Sequence, residues 1–201
     1  MHSALIFLAL AALPSLGTPV VLSLSGIAAL FDAQNKGRFN TTNPLVVVLA
    51  PGVYSLPDSI AITAPSLEIR GLDVDLVCDE YISALQLYVP GPVHVEGLSI
   101  SKCGGSGPAL MIEASSNITL DQLSFSANTA GALAIDSNTS MVTLVNCSFS
   151  SNSLASATFT NSHAVSIVLD QGTVSMDLVS YTGNGFGSTV DSASVSQVTC
   201  R

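Results

Sequence analysis

The chain has 201 residues, a length that suits one domain, and only 9% of them are charged, with a net charge of −9. Its five basic residues, Lys36, Arg38, Arg70, Lys102 and Arg201, are scattered. Nucleic acid and acidic polymers are therefore disfavoured as partners, because they need clustered Lys and Arg to displace counterions.

The first element is "MHSALIFLALAALPSLG" (1–17). A short n-region, an apolar stretch from Ala4 to Leu13, and small residues Ser15 and Gly17 placed for cleavage before Thr18 predict a secretory signal peptide. The apolar run is too short for a comfortable bilayer span, and no later segment is long and apolar enough to serve as one. The expectation is a secreted, extracellular or cell-surface protein. Four N-x-[ST] sequons, at Asn40, Asn117, Asn138 and Asn146, agree with export and are candidate glycosylation sites.

Residues 18–43 read as an N-terminal segment with a cap. In "SGIAALFDAQN", Ser25 offers an N-cap, and Ile27, Leu30 and Phe31 follow at helical spacing. An open sheet end needs covering, so a short helix plugging the first coil is expected.

From residue 44 to 201 the chain repeats itself. Apolar residues recur in one pattern at Leu67, Ile69, Leu72, Val74 and Val77, then at Val93, Val95, Leu98, Ile100 and Cys103. The pattern returns at Ile118, Leu120, Leu123, Phe125 and Asn128, at Val142, Leu144, Cys147, Phe149 and Asn152, and at Val174, Met176, Val179, Tyr181 and Asn184. Each half alternates with period two, as a strand with one buried face does, and a two-residue step between the halves marks a bend. A further apolar segment follows in several units, from Ala109, Ala132 and Ala157. Three short strands in roughly 24 residues predict a right-handed parallel β-helix, an all-β solenoid of about five to six coils stabilised by stacking. Phe125, Phe149 and Tyr181 should stack inside it. The Asn closing each unit suits a left-handed corner and can bond amide to amide with its neighbour. The longer step before Val174 reads as an extended turn around "HAVSIVLD" (163–170). At the far end Val198 and Cys200 restart the pattern, so either the solenoid continues beyond this chain or its last strand frays.

F-x-x-N at Phe125–Asn128 and Phe149–Asn152, Tyr-x-x-N at Tyr181–Asn184, and G-A-L at Gly131–Leu133 resemble the repeat of polymorphic outer-membrane proteins and related β-helix adhesins. "VVVLAPGVYSLPDSIAITAPSLEIRG" (46–71) resembles the first coils of the pectin-lyase-like superfamily. Together the resemblances span about residues 44–184. They imply the fold, and for enzymes of that fold a polysaccharide substrate in a groove along the outer face. The paired-Asp and Gly-His-Gly set of polygalacturonases is missing, as is the Gln-Asp-Thr-Leu string of pectinesterases.

Two outward features remain. Arg70, Glu96 and Asp121 fall on one column, the place to look for catalytic carboxylates. The plainer expectation there is a solvated Arg70–Glu96 pair beside an exposed Asp121. His94 has no partner on its column, and His163 sits in the long step; a His base needs an orienting neighbour. The better ordered feature is a pair of hydroxyl ladders, Ser99, Ser124, Ser148 and Ser180 beside Ser101, Ser126, Ser150 and Thr182. Such an array could bind a polysaccharide or cell-surface glycan, or could merely meet the need for small polar residues on a wet strand face. Cys78 and Cys103 lie at the corner of adjacent coils, close enough either to bridge or to remain thiols, whereas Cys147 and Cys200 fall on interior columns. No C-x-x-C or His pair points to a metal, and no cofactor is called for. The expected function is adhesion, glycan binding or structural display without catalysis; the alternative is a polysaccharide lyase or hydrolase working on the Glu96–Asp121 strip.

Overall fold

A computed structural model describes residues 18–24, 38–79, 82–104, 107–137, 141–153, 165–169, 172–182, 184, 188–192 and 195–200. The expected signal peptide and capping helix, together with Asn138 and His163, lie outside the described residues. What is described is an all-β parallel solenoid. One sheet is built on Val20–Leu24, Leu45–Leu49, Leu67–Cys78, Val93–Ser101, Ile118–Asp121, Met141–Val145, Gly172–Asp177 and Val195–Cys200 in that order. Short strands Gly52–Leu56, Ser124–Ser126, Ser148–Ser150 and Ser180–Thr182 continue it beyond a bend. A second sheet stacks Arg38–Asn40, Ile60–Thr63, Leu85–Val89, Leu110–Ala114, Leu133–Ser137, Val165–Leu169 and Ser188–Ser192. Turns starting at Leu45, Leu67, Val93 and Ile118 are described almost end to end. Val20–Leu24 and Arg38–Asn40 already pair with the turn that follows them, so stacked strands begin ahead of residue 44.

Alternation does the folding work. Ile118 and Leu120 lie over Val93 and Val95 and under Val142 and Leu144, and all six are buried. Strand spacing of about 4.8 Å turns each repeated apolar position into a continuous column. In the column beyond the bend, the rings of Phe125 and Phe149 stack at 5.0 Å and 1°, and Phe149 and Tyr181 at 5.2 Å and 12°. Tyr181 is the exposed end of that stack.

Two corners flank the short strand of a turn, and most of them hold a residue in the left-handed region. Asp73, Gly97, Gln122, Asn146 and Leu178 occupy the first corner, and Lys102, Ala127 and Ser151 the second, at φ between 52° and 69°. For residues with a Cβ this costs of order 1 kcal/mol each. The backbone N–H groups freed by the corners are used along the stack: Gln122 donates to the Val145 carbonyl at 3.0 Å and Asn146 to that of Asp177 at 3.0 Å. Ala127 donates to Ser150 at 3.1 Å and Ser151 to Thr182 at 2.9 Å. At Gly97 the approach of neighbouring corners excludes a side chain, since a Cβ there would stand 2.0 Å from the Gly71 carbonyl oxygen.

The Asn residues bond amide to amide as expected, but they are not the left-handed residues: Ala127 and Ser151, just before Asn128 and Asn152, are. Asn128 Nδ2 donates to the Ile100 carbonyl at 3.2 Å and to Asn152 Oδ1 at 2.8 Å, while its Oδ1 accepts from the Cys103 N–H at 2.9 Å. Asn152 repeats the set one turn on, donating to the Phe125 carbonyl at 3.1 Å and to Asn184 Oδ1 at 3.0 Å. The ladder ends at Cys103, and there the same corner is joined to the preceding turn by the Cys78–Cys103 disulfide, with Cα atoms 4.8 Å apart.

Two registers differ from the sequence pattern. Val74 and Leu76, rather than Leu72 and Val74, lie over Leu98 and Ile100. Gly71, Leu72 and Asp73 bulge out at the corner, leaving Leu72 68% exposed, and Val77 falls beside Ser101 instead of at the closing corner. Further on, Val165–Leu169 is no extended turn. It is the second-sheet strand of its own turn, paired residue for residue with Leu133–Ser137. The segment from Ala157 expected to fill that role lies outside the described residues.

Candidate functional site

Because interior columns are apolar, any site must be assembled from outward positions, and parallel register decides which of these become neighbours. Arg70, Glu96 and Asp121 do fall in register on successive strands. Their side chains nevertheless bond elsewhere. Arg70 pairs with Glu68 on its own strand, Nε to Oε1 at 2.7 Å, and not with Glu96. Glu96 bonds instead to His94, Oε2 to Nε2 at 3.1 Å, so the histidine expected to lack a partner has one two residues along its strand. Asp121 accepts a long 3.4 Å bond from Asn146 Nδ2 on the next turn. Glu68 lies beside His94 and Arg70 beside Glu96 across the two strands, so the four form a patch in which acidic and basic groups alternate. Arg70, engaged with Glu68, is not poised as a base facing the Glu96–Asp121 carboxylates.

The hydroxyl ladders form as a geometric object. Ser99, Ser124, Ser148 and Ser180 are in register, as are Ser101, Ser126, Ser150 and Thr182. Ser148 Oγ donates to Ser124 Oγ at 3.1 Å. The three lower rungs are half-buried, and Ser180 and Thr182 are exposed. This is a flat, uncharged strip of donors and acceptors at the spacing of the strands.

A third outward arrangement, on the second sheet, escaped the sequence pattern. Thr63, Tyr88, Glu113 and Asp136 occupy one column, each the register partner of the next. With Val89, Pro90, Ala114 and Ser115 they line an open groove of about 430 Å³. The signal was there in "LYV", "IEA" and "IDS", where an outward residue follows the same interior position in successive units.

The remaining candidates sort plainly. Asn40, Asn117 and Asn146 are exposed, and Asn146 sits in the left-handed corner beside Asp121. Cys147 is a buried free thiol; burial pushes its pKa from 9.0 up to about 11, with its Sγ 3.3 Å from the Val145 carbonyl oxygen. It is not a nucleophile at neutral pH. The backbone of Cys200 stacks on that of Met176, but its side chain is outside the described residues. Among the described residues no three His, Cys, Asp or Glu side chains converge on a possible metal position, and no helix is long and apolar enough to cross a membrane. No protein-family model, no curated protein and no solved structure matches this chain.

Proposed function

We propose that this chain is an exported or surface-displayed solenoid that contacts glycans through its side faces and performs no chemistry on them. The observation that carries this reading is the pair of hydroxyl ladders, four rungs deep and in register, with a carboxylate, Asp75, entering the first column only below Ser99. Sugars are recognised by arrays of fixed donors and acceptors, and parallel stacking supplies them at a constant repeat of about 4.8 Å. Export is supported by the leader-like first 17 residues and by the Cys78–Cys103 disulfide, a bond that persists in oxidising compartments. The F-x-x-N and G-A-L resemblance to β-helix adhesins points to the same kind of surface role.

A second reading keeps one specific observation, the register of Glu96 with Asp121, which would suit a polysaccharide lyase or hydrolase. Screening the purified protein on a glycan array separates the two. Binding to a defined glycan class, weakened by Ser124→Val with Ser148→Val, is the expected result. An array silent throughout, together with turnover of pectin or alginate abolished by Asp121→Asn, would establish the enzyme instead.

A further inference from the structure

We infer that the groove on the second sheet is a separate subsite for a neutral sugar, with Tyr88 as its platform and Glu113 and Asp136 as its hydroxyl acceptors. The inference rests on the glycan-contact reading for its class of ligand only; the site lies on the other sheet from the hydroxyl ladders.

Three features of the groove select this ligand. First, its lining is divided in kind. Tyr88 and Pro90 give an apolar side, and Thr63, Glu113 and Asp136 a polar one, while Val89 and Ala114 are buried in the core beneath. A pyranose is divided in the same way, with C–H groups on its faces and hydroxyls at its edge, and aromatic rings pack against such faces. Second, Tyr88 is half-buried on the sheet between Thr63 and Glu113, with its hydroxyl within a long 3.4 Å of Gln86 Oε1, so part of its side-chain freedom is already spent before binding. Third, the volume of about 430 Å³ is in the range of small-ligand sites and would hold a short stretch of glycan rather than a folded protein surface.

Charge then narrows the class. Glu113 and Asp136 are exposed, in register on adjacent strands, and no Lys or Arg lines the groove. Two carboxylates one strand apart accept hydrogen bonds strongly from sugar hydroxyls. The same pair repels a uronate or a sulfated sugar, at about 1 kcal/mol per charge pair near 4 Å in water and more where solvent is displaced. The groove therefore favours neutral glycans over acidic ones. Its strand spacing is close to the length of one pyranose unit, so a chain lying along the solenoid axis would meet one outward residue of the column per sugar.

The test is a glycan array carrying neutral and uronate oligomers, probed with wild type, Tyr88→Ala, Glu113→Gln with Asp136→Asn, and Ser124→Val with Ser148→Val. Wild type should bind neutral oligomers, Tyr88→Ala should lose at least about tenfold in their affinity, and the double amide variant should lose several-fold while gaining uronate binding. Because Glu113 and Asp136 are exposed, the double amide variant keeps the test sound even if Tyr88→Ala folds poorly. Binding lost in the serine variant but untouched at Tyr88 and the carboxylates would overturn the groove and leave the glycan reading standing. Wild-type binding to uronates as tight as to neutral oligomers would overturn it as well. Silence on the whole array would sink both.

Discussion

The second corner of the solenoid is closed in two ways along its length. From Asn128 to Asn184 it is closed by amides, each Asn bonded to the next and to the carbonyl of the preceding turn. At Cys78 and Cys103 it is closed by a covalent bond. The interior column beside it changes over the same stretch, from Leu76 and Ile100 to Phe125, Phe149 and Tyr181. Where the lining is aromatic, stacked rings and a buried amide ladder act together. Where it is aliphatic, the amide ladder stops at Cys103, and the disulfide ties that corner to the turn before it. Backbone pairing sets the spacing throughout, and two different side-chain chemistries reinforce it.

Breaking each closure in turn tests whether the two are equivalent. The largest loss is expected from Phe149→Ala, which removes the middle ring of the stack and leaves a cavity; about 4 kcal/mol should disappear from the urea unfolding free energy. Asn128→Ala should follow at about 3 kcal/mol, because it strands the Cys103 N–H and the Ile100 carbonyl in the interior. Cys78→Ser with Cys103→Ser, which frees a loop of sequence separation 25, should cost a similar amount, about 3 kcal/mol. If the serine pair cost nothing while Asn128→Ala unfolded the protein, the two closures would not be equivalents.

A smaller effect should come from pH. Burial raises the Cys147 thiol pKa in the folded chain to about 11, above its ordinary value of 9.0. Between these values the unfolded chain holds fewer protons than the folded one, so stability should fall as pH rises from about 9 towards 11. Cys147→Ala should flatten that slope, as followed by unfolding midpoints across the range. At neutral pH the same thiol should resist alkylation until the chain unfolds.

Most of the fold was legible because interior columns repeat in kind. Ile118, Val142 and Val174 are enough to place three strands in register, and Phe125 with Phe149 locates the strand beyond the bend. Two kinds of feature were hidden. Thr63, Tyr88, Glu113 and Asp136 differ in chemical kind, so their column shows in the text only through the interior residues before them, not through a repeat of its own. The Arg70–Glu96 pair failed for a related reason: register brings the backbones together, but each side chain found a nearer partner on its own strand, Glu68 or His94. The role of the Asn residues was half visible. Their amide-to-amide bonding followed from the repeat, whereas the left-handed conformation falls one residue earlier, on Ala127 and Ser151, whose side chains give no sign of it.

The register of Leu72 is the sharpest case and gives the smallest expected effect. An insertion of two residues leaves the period-two phase of a strand unchanged, so Leu72, Val74 and Leu76 alternate correctly in either alignment. Periodicity cannot reveal where the corner ends. The structure does: Leu98 is 1% exposed and Leu72, its apparent counterpart, is 68% exposed. Leu72→Ser should therefore change the unfolding free energy by less than about 0.5 kcal/mol, while Leu98→Ala should cost about 3 kcal/mol. Equal losses at the two positions would mean that the bulge at 71–73 is drawn in the wrong place. The disulfide would then have to close a corner two residues out of step with the turn above it.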